Sequence, residues 1–170
     1  VIVRESDFDT VLPFWRDKLW PGRETPIKPI SSMAYLGGYD MDIYKYKPVF
    51  FVAEENQEIV GVISGFQTAP GWFRSRGVWV DPQVTGRGYG RALMNALENS
   101  AVAHQCANLW TIPRQSAMPY YERMGFGRTS DWFDQGVEFG PNAYALKQMG
   151  NVSCSFRDEP RRSAFPLLNP

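Results

Sequence analysis

Three glycines separated by single residues, Gly86-Arg87-Gly88-Tyr89-Gly90, stand between a short apolar strand and an amphipathic helix. Without Cβ atoms the backbone there can be approached closely and can take unusual dihedrals, so successive N–H groups can converge on an anion at the positive end of a helix. Arg87 and Arg91 add charge around the mouth of such a nest. A diphosphate is the guest this arrangement suits. Two nucleotide motifs do not fit: no Gly-Lys-Ser/Thr follows the glycines, and their spacing is GxGxG rather than GxGxxG. The competing reading is a tight turn whose glycines serve packing alone.

A second segment, Ala117 to Phe126 (AMPYYERMGF), bears on that choice. The order Val78–Val80, Asp81-Pro82, Thr85-Gly86-Arg87-Gly88-Tyr89-Gly90 and then this segment resembles the GNAT superfamily of acyl-CoA-dependent N-acetyltransferases. That family writes its phosphate turn Q/R-x-x-G-x-G/A and its later helix A-x-x-F/Y-Y-x-x-x-G-F. The turn fits in two registers. Gln83-Val84-Thr85-Gly86-Arg87-Gly88 matches the letters, whereas counting from Asp81-Pro82 puts Thr85 at the Gln/Arg position and all three glycines on the phosphates; the second is preferred. The resemblance spans about residues 49 to 147.

The resemblance implies acetyl-CoA as cofactor, its phosphates held by Thr85, Gly86, Arg87, Gly88, Tyr89, Gly90 and Arg91. Val78, Trp79 and Val80 would lend main-chain groups to the pantetheine arm, as an added strand does. The Val80 N–H would point at the thioester carbonyl. Tyr121 stands at the family's tyrosine and is expected to give a proton to the leaving thiolate. Its alternative role is a buried ring with its hydroxyl satisfied by backbone, and Tyr120 beside it is expected to face the core. Arg114 occupies a position where the family often has an Asn that bonds the pantetheine arm. The implied reaction is direct attack of a primary amine on the thioester, with a small amine as acceptor. Acetylation of a protein N-terminus or lysine, and a non-catalytic acyl-CoA-binding module, are the alternatives.

No general base stands out. Glu54 and Glu55 lie at a strand end, Asp131, Asp134 and Glu138 precede the last strand, and a water chain is a further option. His104, the sole histidine, falls near the far end of the helix after the turn, away from the expected thioester. The stretch 131–139, with three acids, three aromatics and no basic residue, would suit a cationic acceptor.

These residues need a scaffold that the pattern supplies. Val1–Arg4 reads as a strand, and Phe8 to Leu19 as an amphipathic helix capped by Ser6 or Asp7, with Pro13 predicting an offset start or a bend. Prolines and glycines break residues 21–48 into loops around a short helix. Strands are predicted over 49–54, 59–67, 77–80, 107–112, 127–129 and 143–147, with the polar turn 55–58 as a hairpin connection. Helices are predicted from about Gly88–Gly90 and over 116–124, the latter stopped at Gly125. The expected fold is α/β (α+β): a mixed, mostly antiparallel central sheet of about six or seven strands flanked by helices, as in the GNAT family.

Composition agrees with one globular domain: 170 residues, 44% apolar and 15% aromatic. Residues 1–149 are assigned to it. A tail, 150–170, is expected to pack on the domain or lie between subunits, which would make a homodimer. Eighteen basic residues balance eighteen acidic ones, so no net field recruits nucleic acid or an anionic membrane. Cys106 and Cys154 read as free thiols, with no zinc spacing and no metal expected. No export-type N-terminus or bilayer-length apolar run is apparent, which predicts a cytoplasmic protein.

Overall fold

The computed structural model describes residues 1–31, 45–134 and 138–150. A seven-stranded sheet runs through it in the order β1-β2-β3-β4-β5-β7-β6. β1 (Ile2–Ser6), β2 (Val49–Glu55), β3 (Glu58–Ala69) and β4 (Trp72–Val80) form an antiparallel run. The β2–β3 turn is the polar one expected, with Asn56 and Gln57 at φ 52° and 67°, the left-handed pair that a two-residue hairpin requires. β5 (Asn108–Thr111) joins β4 in parallel, and β7 (Ala145–Gln148) and β6 (Gly127–Arg128) close the far edge antiparallel. The mixed, mostly antiparallel sheet is the one the sequence pattern predicts.

α2 (Tyr89–Ala103) is the crossover between the parallel strands. Its Leu93, Met94 and Leu97 are buried against Ile63, Phe73 and Leu109 of the sheet, and α3 (Met118–Arg123) adds Met118 and Tyr121 to the same cluster. Lys147 ties these layers, bonding Glu98 at 2.5 Å and the Met124 carbonyl at 2.8 Å. The opposite face is covered by α1 (Phe8–Phe14), whose Val11 packs with Trp15 on Phe50, Val52 and Val62. Asp7 starts α1 by accepting the Thr10 N–H at 2.8 Å.

Just past Pro13 the helix widens into a π-helical turn, Trp15–Leu19, which is the form the expected bend takes. β4 begins at Trp72 rather than at Gly77 as its sequence suggests. The charged pair Arg74 and Arg76 hides the earlier half, yet both are buried. Residues 20–31 carry neither helix nor strand, while the expected short helix nearby and the tail beyond Gly150 fall outside the described residues. Among the described residues no helix is long and apolar enough to cross a membrane.

Candidate active site

The glycine turn opens α2. Gly86 and Gly88 sit at φ +86° and +90° with nothing within 4 Å of an added Cβ, so backbone conformation alone demands glycine there. No side chain caps the helix among the described residues. Its first helical bond is Ala92 N–H to Gly88 O at 3.0 Å, so the amides of Gly88 to Arg91 precede the ladder and remain donors for an anion. Thr85 is exposed beside them, its hydroxyl 3.4 Å from the Asp81 carbonyl. Arg87 pairs with Glu55 at 2.8 Å, and Arg91 is exposed. Burial and a hydrogen bond to Glu55 raise the Tyr89 pKa.

Gly90 answers to another constraint. A Cβ there would lie 2.9 Å from the Tyr120 ring, whose hydroxyl donates to the Gly90 carbonyl at 2.8 Å. Packing therefore fixes the third glycine, and the two readings of the turn divide between its positions. Tyr120 is partly buried between the first turn of α2 and the core cluster, against which it packs as expected.

Beyond the turn, β4 parts from its parallel neighbour. The two strands pair from Trp72↔Asn108 to Arg74↔Trp110 and then separate. β4 also carries a bulge: between Val62↔Trp79 and Ser64↔Arg76 it spends three steps against two on β3, and Gly77 lies at φ +69°. The extra residue reverses the alternation, leaving Phe73 and Ser75 on the α2 face, followed past the bulge by Val78 and Val80. Trp79 turns instead to α1, its ring 5.4 Å from Phe14. Because the Asp81 N–H bonds Val60 O on β3 at 2.8 Å, the pleat turns the Val80 N–H away from β3.

Tyr121 lies where the strands separate, 4% exposed and with its ring 5.0 Å from that of Tyr120. Burial raises its pKa, opposed by the nearby Thr111 and Ser75 hydroxyls and by Arg74 and Arg114. Ser75 Oγ makes no hydrogen bond of normal geometry although it stands beside the phenol. A cavity of about 790 Å³ opens from this point, with Tyr121, Ser75, Val78 and Thr111 in its wall. Arg114 lines it too, its guanidinium donating to the Leu19 carbonyl and lying 4.8 Å from the Phe139 ring centroid. The arginine side chain thus reaches the far wall of the cavity, toward the segment that follows α1.

The carboxylates considered as bases are engaged or lie elsewhere. Glu54 pairs with Arg4 at 2.6 Å and Glu55 with Arg87 at 2.8 Å. Asp131 and Asp134 are exposed and do not line the cavity. Glu138 does, but it accepts the Glu24 and Thr25 N–H groups at 2.8 and 2.9 Å and the Thr25 hydroxyl. These bonds, the Thr25 hydroxyl foremost, hold its pKa below the usual carboxylate range. His104 ends α2, bonded to Ser100 O at 2.7 Å and outside the cavity wall.

Sequence reasoning did not single out Ser75, Thr111, Arg74, Arg76 or Asn142 as parts of this wall. One signal was present: Phe73-Arg74-Ser75-Arg76-Gly77 puts two arginines into a strand that must be central, an expensive placement without a purpose.

Residues 13–126 match the model of the Acetyltransferase (GNAT) family. The fold is similar to a GNAT-family acetyltransferase from Staphylococcus aureus, at 18% identity over 60% of this chain and 68% of that one, with a TM-score of 0.52. An IAA acetyltransferase from Bacillus cereus is similar at 17% identity over 60% and 78%, TM-score 0.52. A GNAT-family acetyltransferase from Elizabethkingia anophelis, solved with acetyl-CoA bound, matches at 14% identity over 60% and 76%, TM-score 0.51. At such identities the likeness is one of fold.

Proposed function

Because the chain belongs to the GNAT acetyltransferase family and is an acetyl-CoA-dependent acyltransferase, we propose that it transfers the acetyl group to the primary amine of a small molecule held in the cavity beside Tyr121. Bound acetyl-CoA supplies an activated acetyl thioester. The uncapped amides from Gly88 to Arg91 suit its linked phosphates. Main-chain groups of Val78 and Val80, on the β4 edge left open past Arg74, suit the arm that follows. Trp79 supports that edge from the α1 side, and Arg114 serves the acceptor half of the site rather than the arm.

The Val80 N–H is a fixed donor for the oxygen that gains charge as nitrogen attacks, and a donor already in place stabilises that charge without reorganisation. Tyr121 keeps its proton at neutral pH, since burial raises its pKa, and delivers it to the departing sulfur. The carrying observation is the position of this phenol, in the wall of an open cavity at the parting of β4 and β5. A volume of about 790 Å³ is that of a small-molecule pocket. Thiol release from acetyl-CoA, followed across amine classes and repeated with Tyr121→Phe, tests the proposal. If no amine accelerates release while calorimetry shows CoA bound, the chain is a binding module instead. Release only with peptide amines moves the acceptor to protein.

A further inference from the structure

Among the described residues lining the cavity, Arg23, Lys28, Arg74, Arg76 and Arg114 are cationic and Glu138 alone is anionic. The Glu138 carboxylate is committed to the segment 24–25 by three donors. Arg23, whose Nε donates to the Thr25 carbonyl and hydroxyl at 3.1 and 3.0 Å, lies 4.8 Å from the Trp20 ring centroid. Arg114, which donates through one terminal nitrogen to the Leu19 carbonyl, lies the same distance from that of Phe139. Each guanidinium is thus flanked by an aromatic surface and keeps further N–H groups. Both are partly withdrawn from water, and desolvation lowers the pKa of each. Arg74 and Arg76 are engaged within the fold, Arg76 with the Lys28 carbonyl at 2.5 Å, and act here through their field. Two partly desolvated guanidiniums and a lysine facing one cavity form a receptor for an anion.

We infer that the acceptor is an anionic amine: a primary amine bearing a carboxylate or phosphate, the anion held by Arg23, Lys28 and Arg114 while the amine meets Tyr121. This rests on the acetyl-transfer reading and specifies its substrate. Of the three acids in the stretch 131–139 that would have favoured a cation, Asp131 and Asp134 lie outside the wall, and Glu138, which lines it, is bonded to the segment 24–25. A polyamine would enter against like charge.

The same field contributes to the chemistry. A cationic surrounding disfavours an ammonium, so the bound amine gives up a proton to water more readily, and the engagement of the described carboxylates is no obstacle. The nitrogen then bonds the acetyl carbon as the carbon–sulfur bond breaks. Sulfur leaves with the Tyr121 proton, and the proton the nitrogen sheds returns the resulting phenolate to the phenol. In sum, thioester and ammonium give amide, thiol and one proton.

The test compares matched acceptors with the full chain and acetyl-CoA: an apolar α-amino acid, its carboxamide and its decarboxylated amine; a phosphorylated amino alcohol and the free alcohol; and a polyamine. The anionic member of a set should show kcat/KM at least about tenfold above its neutral partners, the scale of one charged hydrogen bond. That advantage should shrink with added salt. The carboxylate and phosphate arms tell which anion is read. Arg23→Gln should collapse the advantage by raising KM for the anionic amine while KM for acetyl-CoA holds. Lys28→Gln, on an exposed side chain, should reduce it, and keeps the test decisive if the first variant fails to fold. Equal or faster turnover of neutral or cationic partners overturns the inference and leaves acetyl transfer standing. An unchanged advantage in folded variants overturns it as well. Silence from every amine, with CoA bound, overturns acetyl transfer itself and the anionic acceptor with it.

Discussion

Trp15 donates its indole N–H to the Gly77 carbonyl at 2.7 Å, and its ring fills the space that a Cβ at Gly77 would need, 2.4 Å away. A fully buried side chain just past α1 thus meets the one residue of β4 that carries the bulge. The bulge, in turn, decides that Val78 and Val80 rather than Trp79 follow Ser75 on the Tyr121 side. Gly77→Ala should therefore cost stability twice, through a left-handed alanine at about 1–2 kcal/mol and through overpacking at about 1–3 kcal/mol. Urea denaturation would measure the sum, and kcat should fall with it while CoA still binds the distant turn. A variant of near-native stability would mean that the bulge tolerates either residue.

Tyr121→Phe keeps the ring and removes the proton donor. The expected outcome is a drop in kcat of about a hundredfold, the low end of general acid catalysis, with KM for acetyl-CoA unchanged. Steady-state thiol release separates the two. The Ser75 and Thr111 hydroxyls stay in place in this variant, so unchanged kcat would assign the phenol to packing.

The turn glycines should separate in the same way. Gly88→Ala meets open space, so its effect runs through the backbone: about 1–2 kcal/mol for leaving a left-handed position to alanine. Reshaping the amides should weaken CoA binding by about tenfold, or ~1.4 kcal/mol, in calorimetry. Gly90→Ala instead strikes Tyr120 at 2.9 Å, and Tyr120→Phe added to it should change the cost by loosening the ring from the Gly90 carbonyl. Equal CoA affinity in Gly88→Ala and the parent would remove the turn from the binding site.

The difference between these glycines marks where sequence reading stops. Spacing alone placed the turn, the following helix and the tyrosine helix, because each is a local pattern with a period or a stop signal. A glycine needed for φ and a glycine needed for a neighbour look alike in sequence, and Gly90 is explained by Tyr120, thirty residues on. The cavity was hidden for the same reason. Arg23, Lys28, Arg76 and Arg114 come from three separated stretches of chain and meet only because β4 and β5 part. The three acids of the stretch 131–139 are visible in sequence, yet only Glu138 reaches the cavity while Asp131 and Asp134 stay outside it, since composition does not say which side faces the cleft.

Buried phenols set one further expectation, in stability rather than rate. Tyr120, Tyr121 and Tyr144 all have pKa values raised chiefly by burial. Below about pH 10, the ordinary phenol value, folded and unfolded chains both keep these protons, so the three groups impose no slope. Above it the unfolded chain releases them and the folded chain does not; the unfolded state then binds fewer protons, and stability falls as pH rises until the folded values are passed. Urea midpoints should thus be level in this respect up to about pH 9 and decline from about pH 10 upward, with Tyr121→Phe declining less steeply than the parent. Tyrosinate absorbance followed across the same range should show the folded chain lagging the denatured one. Coincident titrations would mean that water reaches all three rings, and the dry setting required for Tyr121 to hold its proton beside the departing sulfur would be lost with them.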